Sequence, residues 1–170
     1  MSNPQSPFLL NVGFIVSQSA GFSREFTFDL AQVFLPPDLP LQNLLGICKV
    51  TRTPQGILVQ AKMQAELTLE CARCLTDYPQ PLNVEFTELY AFSPRFVTDS
   101  ELLMPESGRI DLEPLIREYM LLEIPINPQC RPDCAGLCPV CGENLNENPH
   151  THDEEPGDPR LSALKLLLDE

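Results

Sequence analysis

The sequence has no tryptophan, and no apolar run approaches the roughly 18 residues that a membrane-spanning helix needs. Its 11 basic residues form no cluster, whereas 24 acidic residues give a net charge of −13. Residues 1–65 sum to +1, and residues 66–170 sum to −14. Electrostatic binding to nucleic acid needs a clustered basic face, so this charge distribution disfavours nucleic acid as the direct partner. A strongly acidic half instead favours a basic protein partner or a solvated surface.

Catalytic signatures and targeting signals are also missing. The sequence contains no glycine-rich phosphate loop, no Ser/His/Asp set and no dedicated pair of carboxylates. Residues 1–7 carry no basic residue and no cleavage motif of small residues. We therefore expect a non-enzymatic protein of the cytosol, with no small-molecule substrate and no membrane association.

Alternating hydrophobicity in the first half predicts an antiparallel β-sheet. From Ile57 to Cys71 every odd position is apolar and nearly every even position is polar, which is typical of a strand with one solvated face. A turn at 53–56 predicts that 45–52 pairs with this strand as a hairpin. Shorter alternating stretches at 22–30 and 82–87 predict further strands, which gives a sheet of four or more.

The apolar period lengthens after residue 110, which predicts helices. Asp111 can cap a helix that ends before Pro125 and buries a stripe of Leu112, Leu115, Ile116, Tyr119 and Leu122. A second short helix is predicted from Asp158-Pro159, with Leu161, Leu164 and Leu168 buried. The predicted fold is α+β: an antiparallel sheet core with a few helices and a C-terminal metal-binding segment. We assign residues 1–125 to the sheet and its following helix. Residues 126–170 form the Cys/His-rich segment, with the short helix packed on it.

Six of the seven cysteines and both histidines are spaced as metal ligands: Cys71, Cys74, Cys130, Cys134, Cys138, Cys141, His150 and His152. Two residues between paired cysteines allow both thiolates to face one ion, and Gly142 can adopt the positive φ of a metal knuckle. Zn²⁺ takes four Cys or His ligands in closed tetrahedral sites, so these donors predict one or two structural zinc ions. Cys48 lies on a predicted strand and is interpreted as a small buried apolar residue.

The pairing of ligands has two readings. Short loops close at lower entropic cost, and Arg73 and Arg131 can offset the −2 charge of a four-thiolate zinc site. We therefore hypothesise that Cys71, Cys74, Cys130 and Cys134 share one ion, while Cys138, Cys141, His150 and His152 share the other. The alternative places the Cys71/Cys74 and Cys138/Cys141 pairs on the same ion.

Other uses of these cysteines are less favoured. A thioredoxin-like dithiol belongs near a βαβ unit, whereas Cys71 ends an antiparallel strand. The spacing does not match the ferredoxin iron–sulfur patterns. A catalytic zinc would need an open position, with Glu143 or Asp153 as base, yet eight donors indicate closed sites. A redox or nuclease enzyme using this cluster, or a zinc-stabilised protein-interaction scaffold, remains the alternative function.

Three motifs resemble those of the YceD family, the large ribosomal RNA subunit accumulation proteins. They are Leu69-Glu70-Cys71-Ala72-Arg73-Cys74-Leu75, then Gly136-Leu137-Cys138-Pro139-Val140-Cys141-Gly142-Glu143-Asn144-Leu145-Asn146, then Asp158-Pro159-Arg160-Leu161-Ser162-Ala163-Leu164. Members with the full cysteine set usually have Cys-x-Cys where this chain has His150-Thr151-His152. That exchange replaces one type of zinc ligand with another, which favours metal binding and makes a disulfide there impossible.

The resemblance implies a bacterial or plastid factor in ribosome biogenesis, needed for normal accumulation of large-subunit (23S) ribosomal RNA. With the acidic charge of residues 66–170, it predicts a basic ribosomal or assembly protein as the partner and at most an indirect association with ribosomal RNA. The bacterial cytoplasm is favoured over the plastid stroma. The amino-terminal third carries no motif of the family.

Overall fold

A four-stranded antiparallel sheet is the centre of the structure, a computed structural model that describes residues 6–152. The elements of this range are β1 (Leu9–Asn11), α1 (Gly13–Val16), β2 (Ser23–Leu35), β3 (Leu39–Arg52), β4 (Gly56–Glu70), β5 (Asp77–Ala91), β6 (Arg109–Asp111) and α2 (Glu113–Leu122). A single 3₁₀ turn at Pro94–Phe96 follows β5. The α+β class with an antiparallel sheet is therefore confirmed.

The sheet has the order β2-β3-β4-β5, so each strand pairs with the next one along the chain. The predicted hairpin is present, since Arg52 of β3 pairs with Ile57 of β4. At the opposite end of β4, Glu70 pairs with Asp77 of β5, and the connection between them holds the first pair of candidate ligands. The β3–β4 turn and the β4–β5 turn therefore lie at opposite ends of strand β4. The candidate ligands in the β4–β5 turn thus lie at one end of the sheet.

Strand β5 begins earlier than its alternating pattern predicts and includes Pro79 and Pro81. Proline cannot donate a hydrogen bond to a neighbouring strand, so it is tolerated only where that position faces outward. β5 is an edge strand of the sheet, and residues of the parity of Pro79 direct their backbone nitrogens away from β4. Strand β3 likewise starts at Leu39, six residues before the predicted hairpin partner.

One face of the sheet is buried, as the alternation predicts. Its core side chains come mainly from alternate positions of β3, β4 and β5, among them Leu44, Val50, Ile57, Val59, Ala61, Leu82 and Phe86. Cys48 is fully buried in this core, which confirms its interpretation as an apolar packing residue. Burial raises the pKa of its thiol to about 12, so this cysteine stays protonated in the folded protein.

Helix α2 covers part of the buried face, and Asp111, one residue before the N-cap Leu112, bonds to its first turn. The Asp111 Oδ1 atom accepts a hydrogen bond from the backbone N–H of Glu113 at 3.0 Å. The aromatic ring of Tyr119 stacks on Phe86 with centroids 4.6 Å apart, and its hydroxyl donates to Glu88 at 2.6 Å. These contacts fix α2 against β5.

The predicted apolar stripe of α2 needs one correction at its carboxyl end. Leu112, Leu115 and Ile116 are buried, whereas Leu122 is 74% exposed. Leu122 occupies the last position of the helix, at the margin of the stripe, where no following turn covers it. Met120, outside the predicted stripe, is fully buried instead.

The cap on α2 gives a direct stability prediction. Replacing Asp111 with alanine removes the acceptor for the Glu113 N–H, and we expect the free energy of unfolding to fall by about 1 kcal/mol. Asp111→Asn keeps a side-chain acceptor and should retain most of that stability. Urea denaturation measures both values. Equal losses in the two variants would show that the cap is not the cause.

Two short elements carry no signal in the sequence. Strands β1 and β6 have three residues each and pair antiparallel, Leu10 opposite Ile110. Their side chains complete the core beside α1.

Among residues 6–152, no helix is long and apolar enough to cross a membrane. The helix predicted from Asp158 lies outside the described residues, and the division at residue 125 stays a prediction.

Candidate metal centre

The first pair of candidate ligands lies in the turn between β4 and β5. The backbone N–H of Leu75 donates to the Cys71 carbonyl at 2.9 Å, and the N–H of Cys71 donates to the Thr76 carbonyl at 3.0 Å. Leu75 adopts φ 57°, the left-handed conformation that closes this tight turn. The turn places the Cys71 and Cys74 side chains in one buried cluster.

The second Cys-x-x-Cys pair has the same backbone geometry. The N–H of Gly142 donates to the Cys138 carbonyl at 2.9 Å, and the N–H of Cys138 donates to the Glu143 carbonyl at 2.8 Å. Gly142 has φ 78°, which confirms the positive φ expected for a knuckle at this position. The two turns are therefore equivalent structures that each present two thiols to one point.

Four thiols converge at the end of the sheet, from Cys71, Cys74, Cys130 and Cys134, with all four sulfurs within 4.8 Å of one another. The Cys71 and Cys134 sulfurs are 3.9 Å apart, and those of Cys74 and Cys130 are 3.7 Å apart. Tetrahedral zinc with bonds of about 2.3 Å would hold its sulfurs roughly 3.8 Å apart, so the donor set fits such an ion. The separations exclude disulfides, whose sulfurs lie about 2 Å apart. We call this group the four-cysteine site.

A second group of four donors lies on the carboxyl-terminal side of the first, from Cys138, Cys141, His150 and His152. The Cys141 sulfur is 3.1 Å from Nε2 of His150. The His150 Nδ1 atom lies 2.8 Å from the Asn148 carbonyl, a contact in which only the ring nitrogen can donate. That bond leaves Nε2 free as a ligand atom, the arrangement usual for metal-binding histidine. This group, the mixed site, is more exposed than the four-cysteine site.

Backbone amides shift the thiol pKa values in both sites. A hydrogen bond from the backbone of Cys130 lowers the pKa of Cys71 to about 6, and one from the backbone of Cys141 does the same for Cys138. Burial raises the pKa of Cys130 to about 12. Each site therefore has one sulfur that is already mostly ionised at neutral pH. Metals bind this thiolate form. The arrangement can therefore hold a cation.

Asn146 is a contributor to the four-cysteine site that the ligand pattern does not reveal. Its side-chain amide donates to the Cys134 sulfur at 3.4 Å. Burial opposes ionisation of Cys134, yet this bond and neighbouring amides bring the pKa of its thiol below the usual value. The only available signal was the position of Asn146 in the motif that follows Gly142.

The two arginines expected to offset the thiolate charge are placed differently. The Arg131 guanidinium lies 3.5 Å from Asp133 and also donates to Asn146 at 2.7 Å. Arg73 is exposed between the first two cysteines, and its carbonyl accepts from the Leu137 N–H at 3.0 Å. Arg131 therefore contacts the site through Asn146, and the backbone of Arg73 joins the two Cys-rich stretches.

Gly136 marks this close approach and allows a matched test. A Cβ at Gly136 would lie 3.2 Å from the Arg73 carbonyl oxygen, and its φ of 81° is unfavourable for alanine. Gly142→Ala is the control, because its φ of 78° imposes similar strain with nothing within 4 Å. We expect Gly136→Ala to destabilise the protein by about 1 kcal/mol more than Gly142→Ala, through the crowded contact. Thermal unfolding of both variants measures the difference, and equal losses would contradict the structural role of this contact.

The structure thus brings the eight residues together in the grouping hypothesised from loop length and charge. The alternative, Cys71/Cys74 with Cys138/Cys141, is not the grouping found in residues 6–152. Either group could hold a metal ion. That an ion binds there, and which one, stays a prediction.

Comparison with known proteins places this cluster in a family. A family model described as "Large ribosomal RNA subunit accumulation protein YceD" matches residues 59–168, about two thirds of the chain. The chain belongs to the YceD family. The match spans most of β4, all of β5 and α2, and all eight candidate ligands, so the resemblance seen in the motifs is confirmed.

Proteins similar in sequence to this chain come from bacteria and a plant. An uncharacterized protein of Mycobacterium tuberculosis is 41% identical over 125 residues, which cover 71% of this chain and 59% of that protein. The uncharacterized protein YlbN of Bacillus subtilis is 32% identical over 108 residues, covering 62% and 63%. A Zea mays protein named "Large ribosomal RNA subunit accumulation protein YCED homolog 1, chloroplastic" is 27% identical over 138 residues, covering 63% and 47%. The chain thus aligns with less than two thirds of each relative's length, and no solved structure matches it.

Proposed function

We propose that this protein is a non-enzymatic ribosome-biogenesis factor that supports accumulation of large-subunit ribosomal RNA and is stabilised by two structural zinc ions. The observation that carries the proposal is the match of residues 59–168 to a family named for that role. A plant relative carries the same description in its name. We place the protein in the bacterial cytoplasm.

Zinc is favoured by the chemistry of the donors. Six thiols and two imidazoles are the ligands that structural zinc prefers, and the sulfur separations match a tetrahedral ion of that size. In each site the protein supplies all four donors. A closed site leaves no position for a substrate or an activated water, which supports a structural role for the metal over a catalytic one.

The surface around the four-cysteine site supports a basic partner. Five exposed carboxylates, against the two cations Arg73 and Arg131, lie near the Cys-rich turns. We call these carboxylates the acidic end: Glu70, Asp77, Asp133, Glu143 and Glu147. Glu70 and Asp77 lie directly opposite each other on β4 and β5. Like charges in such a pair destabilise a sheet, so their presence is consistent with recognition of a positively charged surface.

The solvent-exposed face of the sheet, opposite the buried core, offers a second, nearly neutral surface. It forms an open groove of about 1020 Å³ whose charged lining residues are Asp29, Lys49, Lys62 and Glu85. Lys62 and Glu85 are paired across strands at 2.8 Å. This balance offers no net charge to a cationic partner, so we assign binding of a basic ribosomal or assembly protein to the acidic end.

The primary test is genetic complementation in a bacterium that lacks its own YceD-family gene. We expect this chain to restore the ratio of 23S to 16S ribosomal RNA. The variant Cys71→Ser/Cys138→Ser, which loses one donor from each site, should not restore it at equal expression. Failure of the unaltered, stably expressed chain to change the ratio would refute the proposed role in RNA accumulation.

Binding to purified large-subunit proteins tests the acidic end. We expect Glu70→Lys/Asp77→Lys to weaken binding by about tenfold or more, since like-charge juxtaposition at an interface costs several kcal/mol. The control Glu25→Lys/Asp29→Lys makes the same charge change on edge strand β2, at exposed residues outside the acidic end. Binding should also weaken as salt rises. Equal effects of both variants, or salt-insensitive binding to free RNA, would contradict the assignment.

A further inference from the structure

The loop formed by residues 143–148 contacts both candidate sites. At the mixed site, the Glu143 carbonyl accepts from the Cys138 N–H at 2.8 Å. The Asn148 carbonyl accepts a hydrogen bond from His150 Nδ1, also at 2.8 Å. At the four-cysteine site, the Asn146 amide donates to the Cys134 sulfur at 3.4 Å. Six consecutive residues therefore connect donors that belong to different sites.

The side chain of Asn146 uses all of its hydrogen-bonding capacity. Its Oδ1 atom accepts from the Arg131 guanidinium at 2.7 Å and from the Ala135 backbone N–H at 2.8 Å. Its Nδ2 atom donates to the Cys134 sulfur and to Asn144 Oδ1, the latter at 2.7 Å. Both lone pairs of Oδ1 and both N–H groups of Nδ2 therefore have hydrogen-bond partners. Because the oxygen faces two obligate donors, the amide N–H must face the sulfur.

Asn144 ties the same loop to the first Cys-x-x-Cys turn. Its Oδ1 atom also accepts from the backbone N–H of Asn146 at 3.0 Å. Its Nδ2 atom donates to the Thr76 hydroxyl at 3.3 Å. The Asn144 carbonyl in turn accepts from the backbone N–H of Asn148 at 3.0 Å, next to the histidine end of the loop. These contacts make the position of Asn146 depend on residues at both ends of the loop.

We propose that Asn146 is a positioning residue of the four-cysteine site and couples it to the mixed site. Its N–H group supports the charge of the Cys134 thiolate, as groups behind metal ligands commonly do. An ion in the mixed site fixes Cys138 and His150, and so fixes both ends of the loop that presents Asn146. Without that ion, the loop must be ordered when the four-cysteine site fills, which lowers its affinity. This inference rests on the metal binding of the proposed function.

Release of Co²⁺ from the full-length chain to a chelator tests the coupling. The intensity of thiolate-to-cobalt charge transfer grows with the number of sulfur ligands, so the two sites can be followed separately. Cys141→Ser removes a ligand of the mixed site only, and Asn146→Asp removes the N–H donor while keeping the size of the side chain. Asn127→Asp is the matched control, since it adds the same charge at an exposed residue close to Cys130 that belongs to neither group of donors.

We expect Cys141→Ser and Asn146→Asp each to accelerate release from the four-cysteine site by about 10- to 100-fold. The double variant should release no faster than the faster single variant, because both changes act through Asn146. Asn146→Asp should also shift the charge-transfer band of this site, which a general loss of stability would not do. Asn127→Asp should leave both the rate and the band unchanged.

Two results separate this inference from the proposed function. A protein that binds two ions, but whose four-cysteine site releases Co²⁺ equally fast with and without Cys141, overturns the coupling and leaves zinc binding intact. The coupling is also overturned if the double variant accelerates Co²⁺ release by the product of the two single-variant factors. A protein that binds no ion at either site overturns this inference and the zinc-binding part of the proposed function.

Discussion

Removing both metals should unfold the segment 126–152 while leaving the four-stranded sheet folded. The buried apolar core is built from residues 8–120, and in the described structure the segment adds only cysteines to a separate small cluster with Tyr78. The segment therefore has no apolar core of its own. Structural zinc contributes on the order of 10 kcal/mol of apparent binding free energy, which would be lost on chelation.

Hydrogen exchange of the metal-loaded and chelated protein measures this effect. We expect the backbone amides of Leu137 and Leu145, which bond to Arg73 and Gly136, to lose protection by several orders of magnitude. The amides of Val59 and Phe86, in the centre of β4 and β5, should keep theirs. Unchanged protection at Leu137 and Leu145 after complete chelation would contradict a stabilising role for metal.

Exchange of single ligands should remove different ions from the two sites. Cys71→Ser should lose the ion of the four-cysteine site and Cys138→Ser the ion of the mixed site, because their sulfurs belong to different groups of donors. The double variant should bind none. A hydroxyl is a much poorer zinc ligand than a thiolate, so each single variant is expected to retain one ion.

Native mass spectrometry counts the ions in each variant. Cys48→Ser makes the same atomic exchange at a buried cysteine outside both sites, and it should retain two ions despite some loss of stability. The grouping is wrong if Cys71→Ser and Cys138→Ser abolish the same ion, which the combination Cys71→Ser/Cys138→Ser would reveal by retaining one.

The sheet was largely predictable from the sequence because its signal is local. Strand β4 alternates over its whole length, and the turn at 53–56 fixes its partner without reference to the rest of the fold. The cap at Asp111 is equally local. The grouping of the ligands was predictable from loop length, which limits the ways in which distant cysteines can converge. The charge argument contributed less, since Arg73 is exposed and Arg131 contacts the site through Asn146.

The parts that escaped prediction depend on contacts between distant residues. Strands β1 and β6 are too short to show a period, and they pair across about 100 residues of chain. The prolines of β5 are compatible with a strand only because β5 is at the edge of the sheet. Leu75 gives no sign of its positive φ, unlike Gly142 in the equivalent turn. The role of Asn146 depends on Arg131 and Cys134, which it meets only in the folded chain.

The most direct test of metal-dependent order is the metal content of the full chain purified without added zinc. Elemental analysis combined with native mass spectrometry should find two zinc ions per chain. After denaturation in the presence of a chelator, all seven thiols should become reactive, including that of Cys48. Freshly purified, folded protein that contains no transition metal would contradict the central claim.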